Sequence, residues 1–113
     1  MSDQNNSTPV LDLLARMTSD SLEASTLDAR TLMLTRIAAL VSVGAPPASY
    51  LGNLSAASEI GIDADAVRGV LLAIAPIVGT VRVVAAAGSI ARALGIAIQV
   101  AEIEAEMAGA AAA

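Results

Sequence analysis

The segment 27-LDARTLMLTRIAALVSVGAPP-47 sets the strongest limit on what this chain can fold into. Leu32, Leu34, Ile37, Ala38, Leu40 and Val41 occupy so much of a helical circumference that little of it is left for water. A helix of this kind belongs at the centre of a bundle or of an assembly. Its ends are marked locally: Asp28 can cap the first turn, and Gly44 followed by Pro46-Pro47 supplies the stop. Arg36 interrupts the apolar surface at mid-helix, where a snorkelling or ion-paired side chain is the ordinary expectation.

Similar punctuation divides the rest of the chain into helices. Residues 1–8 have no apolar pattern and are expected to form a mobile tail. Thr8-Pro9 starts a helix with an apolar stripe of Val10, Leu11, Leu13, Leu14 and Met17, expected to end near Thr18; Ser19-Asp20-Ser21 reads as the cap of a separate short turn. Pro46 or Pro47 opens the next helix, which closes at Gly61, and Asp63 caps another that Pro76 and Gly79 break. The Ala-rich stretch from Thr80 to about Gly109 suggests close helix packing through small residues, with a division near Gly95 and fraying over the last residues. The alternation in TVRVV is strand-like, but no partner strand exists and the Ala-rich continuation favours helix. The expected fold is all-α: one compact multi-helix domain over 9–109, with a frayed end at 110–113.

Composition narrows function by exclusion. Cysteine and histidine are both absent, which removes disulfides, thiol catalysis, Ser-His-Asp triads and the common zinc sites. The three glutamates Glu102, Glu104 and Glu106 are spaced by two and share no helical face, so no metal site and no cofactor is expected. A net charge of −5, with all six basic residues arginine and none clustered, argues against nucleic acid. With 56% apolar residues and a mean hydropathy of +0.71, the chain carries more oil than one small domain can hide, and an oligomer is the natural remedy. A membrane span is not expected, because each long charge-free run is broken by Gly and Pro or falls short of about 20 residues. The polar, acidic start MSDQNNSTPV points to a cytoplasmic protein.

In the order of these elements, the block 28-DARTLMLTRIAALVSVGAPPASYLGNLSAASEIGIDADAVRGVLLAIAPIVGTVRVVAA-86 resembles the carboxymuconolactone decarboxylase family, which includes the alkylhydroperoxidase D-like proteins. Asp28, Arg30, Ala57, Gly61, Asp63 to Asp65 and Gly79 stand where the family pattern has its counterparts. The resemblance implies interlocked helices and a homotrimer or hexamer. The family's reactive groups are missing: its histidine falls on Asn53, and the two cysteines of peroxidase-type members fall on Pro46 and Ser49. The acidic proton-relay residue of those members would fall near Leu34, and of the family's last element only Gly79 remains. Peroxide reduction needs a thiolate and a resolving thiol, which no serine replaces, so that activity is excluded.

Two roles follow. One is an oligomeric binding or assembly protein of this fold, taking a small carboxylate or a hydrophobic ligand at the emptied site. The other is a thiol-independent lyase or isomerase of decarboxylase type acting on a small carboxylic acid or lactone. Ser49 and Asn53 share a helical face with Pro46 and are candidate ligand contacts, although bonding to backbone or to a neighbouring helix is the commoner use of such residues. Arg36 and Arg82 are candidate anion contacts. Tyr50 and Glu59 are the only candidates for moving a proton, with Tyr50 expected at an interface or rim and Glu59 able to pair with Arg36. A third role is an unrelated helical bundle that binds lipid or a partner helix through an apolar face.

Overall fold

A computed structural model describes residues 8–112, and it is helical throughout, with no strand among the described residues. Five helices follow in order: α1 (Pro9–Ala24), α2 (Ala29–Val43), α3 (Pro47–Glu59), α4 (Ala64–Val78) and α5 (Thr80–Ala112). The tail expected at 1–8 lies outside the described residues except for Thr8.

The helix ends follow the expected punctuation. The Asp28 carboxylate accepts from the Thr31 amide at 2.8 Å, and Asp63 accepts from the Ala66 amide at 2.9 Å, each satisfying a first-turn N–H that has no partner within its helix. Gly44 closes α2 in the left-handed conformation (φ 69°, ψ 43°), which lets the Ala45 amide reach back to the Leu40 carbonyl at 3.0 Å. Pro47 sits in the first turn of α3, where its missing N–H costs no helix hydrogen bond. Pro76 does not break α4 at its own position; it leaves the Leu72 carbonyl without its usual helical donor, and the helix ends two residues later, at Val78.

Two expected boundaries are absent. α1 runs unbroken through Ser19-Asp20-Ser21 to Ala24, because a cap residue acts only where the backbone has already left the helix, and Ala15 to Thr18 contain no breaker. α5 passes Gly88 and Gly95 without interruption to Ala112: a helical glycine costs about 1 kcal/mol relative to alanine, which the Ala-rich flanks tolerate. Of the frayed end expected at 110–113, Ala113 lies outside the described residues. The packing expected of the small residues in the Ala-rich stretch falls to Ala86 and Ala93, which are buried in the core, and not to Gly88 or Gly95, where an added Cβ meets no atom within 4 Å.

α2 is the hub. It packs against α3, α4 and α5, while α3 and α4 each pack against α5. Leu32, Met33 and Ile37 of α2 form one buried cluster with Ala57 and Ile62. Val41 forms a second with Tyr50 of α3 and Ala86, Ile90 and Ala93 of α5. Leu54 and Val67 touch both clusters and join them into one core. Most of the apolar circumference of α2 is thus covered within the bundle, while Val43 in its last turn stays exposed.

α1 takes no part in that core. None of its residues is buried, and it touches the bundle through Arg36 of α2, whose guanidinium donates to the Thr18 carbonyl at 3.3 Å and to Ser21 Oγ at 3.2 Å. The chain is correspondingly extended: its radius of gyration is 16.8 Å, against about 13 Å for a compact domain of this length.

Candidate functional site

Two concave spaces open on the bundle. The larger, of 470 Å³, is a groove between α3, α4 and α5, walled by Leu54, Ile62, Val67, Leu71, Ile90 and Leu94, with Asp63 and Arg68 among its few polar members. The smaller, of 290 Å³, shares Leu54, Ser58 and Leu94 with it and adds Ser55, Glu59 and Ala93. The two form adjoining apolar depressions along the contact of α3 with α5. The groove was not legible as a site in the sequence, because its lining residues carry the same apolar pattern as the core.

The sequence-derived candidates are scattered around this structure rather than gathered in it. Glu59 lines the smaller depression, and Ser49, Tyr50, Asn53, Arg36 and Arg82 line neither of the two. Glu59 makes no ion pair with Arg36. Among the described residues, the ion pair present joins Arg68 to Asp65 at 2.7 Å on an exposed face of α4. Arg36 instead spends its donors on α1, on the Thr18 carbonyl and the Ser21 hydroxyl, where an ion pair or a snorkelling side chain was expected.

Arg82 also has a structural partner. It follows the Gly79 turn into α5 and donates through Nη1 to the Ser42 carbonyl in the last turn of α2. Last-turn carbonyls lack intrahelical donors and carry the negative end of the helix dipole, so a guanidinium there is doubly favoured. Its fork is directed at backbone in a place where an anion contact was expected.

On α3, the Asn53 side-chain amide donates to the Ser49 carbonyl one turn back, at 3.2 Å, and Ser49 itself is exposed. Asn53 is half-buried. The pair lies on one face, as helical spacing demands, and Asn53 is committed to its own backbone. No proton-transfer group joins it there, since the amide neither gains nor loses a proton near neutral pH.

Tyr50 sits at the centre of the second cluster with 0% of its surface exposed, so it is an interior residue in place of the expected rim or interface one. Its hydroxyl is buried without a hydrogen-bond partner among the described residues. Burial holds the phenol above its ordinary pKa, because a phenolate in that apolar setting would be poorly solvated. A phenol so placed keeps its proton and lacks contact with either depression, which separates it from any substrate seated there.

Among the described residues no group of three or more carboxylates lies close enough to hold a metal ion, and no helix is long and apolar enough to cross a membrane. Comparisons of the chain with protein-family models, curated proteins and solved structures give no match.

Proposed function

We propose that the chain is an oligomeric helical assembly protein of carboxymuconolactone decarboxylase-like architecture, without the thiol and imidazole chemistry of that family, and with its apolar depressions available to a hydrophobic ligand. The observation that carries this is an excess of surface. One copy exposes 7877 Å², whereas a compact monomer of 11.2 kDa exposes about 5,700 Å². The difference, roughly 2,000 Å², exceeds the approximately 800 Å² per partner that a standard stable interface buries. Much of it is oil: Val43 is 74% exposed, Ile77 85% and Val81 84%. Exposed large apolar side chains in this number support a subunit that buries them against another.

The chemistry available supports binding over turnover. Glu59 is the single proton-transfer candidate in contact with a depression, and Arg36 and Arg82 are engaged with backbone elsewhere. A lyase or isomerase role therefore has one of its sequence-derived residues in its favour, and the guanidinium that lines the adjoining groove, Arg68, is paired with Asp65.

Light scattering coupled to size-exclusion chromatography tests the proposal. A trimer or hexamer mass at micromolar protein is expected, and a stable monomer overturns it in favour of a bundle that presents its apolar face to lipid or to a partner helix. Hydroperoxide turnover by the purified protein would overturn the chemical half.

A further inference from the structure

Resting on that assembly reading, we infer that α1 is an exchanged arm: its apolar stripe seats in the groove between α3, α4 and α5 of a second copy of this chain. Val10, Leu13, Leu14 and Met17 lie at i, i+3, i+4 and i+7, on one face of α1, and are 69%, 50%, 50% and 56% exposed. Helix-in-groove recognition uses this spacing of anchors. α1 does not reach its own groove, since it touches none of the three helices that wall it and is held to α2 near its C-terminal end by Arg36. Its N-terminal turns are left overhanging, with their stripe uncovered.

The dimensions agree. The groove encloses 470 Å³. The side chains of Val10, Leu13, Leu14 and Met17 contain about 15 non-hydrogen atoms, an apolar body of the order that clefts of roughly 300–1,000 Å³ take up. The area agrees too. The exposed apolar residues of α1 offer roughly 500 Å² at the area usual for aliphatic side chains. A reciprocal exchange buries that amount twice, plus the two groove walls, which reaches the lower end of the roughly 1,200–2,000 Å² of standard interfaces.

The lack of cysteine allows a direct test in the full chain. Leu14→Cys and Ala91→Cys, both at exposed positions, are prepared separately, mixed, re-equilibrated and mildly oxidised; Ala91 lines the groove. The expected product is the mixed disulfide dimer. The millimolar effective concentration inside a complex favours it over chance collision at micromolar protein by roughly 10²- to 10³-fold. In parallel, Leu14→Asp and Ala91→Trp are each expected to lower the mass seen by light scattering while helical circular dichroism is retained. An oligomer that persists in both variants and yields no mixed disulfide overturns the arm while leaving assembly standing. An intramolecular disulfide in a monomeric double variant also overturns it, by showing the groove covered by its own helix. A monomeric wild-type protein removes the assembly reading and the arm together.

Discussion

The Arg82 guanidinium, in the first turn of the last helix, is hydrogen-bonded to the Ser42 carbonyl in the last turn of the helix at the centre of the bundle. Forty residues of chain separate the two, and the bond fastens the turn at Gly79 to the C-terminus of α2. Arg82 is exposed, so the charge stays hydrated while the fork reaches a carbonyl that the helix cannot satisfy itself. Arg82→Ala should therefore lower unfolding free energy by about 1 kcal/mol, measured by urea denaturation. Arg82→Lys should recover only part of that, because an ammonium has one compact head in place of a planar fork. An unchanged midpoint in Arg82→Ala would show that water serves the carbonyl equally well.

Tyr50 has the opposite problem, a polar atom in oil with nothing to bond. Removing a buried hydroxyl that has no partner eliminates a desolvation cost, so Tyr50→Phe should leave the ring's packing intact and raise stability by about 1 kcal/mol. A loss of stability instead would reveal a partner for the hydroxyl. The same burial makes a pH prediction. The folded phenol titrates above its ordinary range, so above about pH 10 the unfolded chain has released a proton that the folded chain still holds. Stability should fall as pH rises from there through the folded pKa, and Tyr50→Phe should abolish that part of the fall. Because Tyr50 is the chain's single tyrosine, tyrosinate absorbance reports it without ambiguity.

Asp28 gives the mirror-image case at acid pH. The Thr31 backbone amide, followed by its hydroxyl, lowers the Asp28 pKa, so the folded state holds fewer protons than the unfolded one near pH 4. The stabilisation from this cap is present above the unfolded pKa and is lost as pH falls through the folded one. Asn caps about as well as Asp and does not titrate. Asp28→Asn should hence match the parent protein at neutral pH and show a flatter acid limb in thermal melts. At the corresponding cap of α4, Asp63→Ala should cost about 1 kcal/mol at neutral pH.

These caps were legible in the sequence because their physics is local. Asp28, Gly44, Asp63 and Gly79 act within a few residues of themselves, and each marks its helix end where the sequence places it. Ser19 and Gly95 carry similar signals but sit within runs of good helix formers, and a signal spread over two or three residues does not outweigh the turns on either side. The interior place of Tyr50 depends on α2, α3 and α5 converging, and the partner of Arg82 on a forty-residue closure, neither of which leaves a periodic trace. Asn53 and Ser49 were legible as one face of α3, and their bond is the backbone use already weighed for them. The groove was illegible for a simpler reason. Leu54, Val67 and Ile90 have the pattern of buried residues, and only the placement of three helices shows that a gap remains between them.

Arg36 is the residue on which the attachment of α1 depends. Its two bonds, to Thr18 and Ser21, join the bundle to a helix that buries none of its own side chains. A 16-residue helix of this composition is marginal in water when isolated, so its order relies on what holds it. Arg36→Ala should therefore separate two stabilities. Amides of α1 should exchange faster by roughly tenfold, the effect of losing about 1.4 kcal/mol of local protection, while amides of α2 and α5 keep their rates. Site-resolved hydrogen exchange measures both in one experiment. If α1 is covered by a second copy, exchange in Arg36→Ala should also become dependent on protein concentration, slowing as the assembly fills. Equal acceleration across α1, α2 and α5 would mean that Arg36 supports the whole bundle, and that α1 belongs to the same cooperative unit as the core.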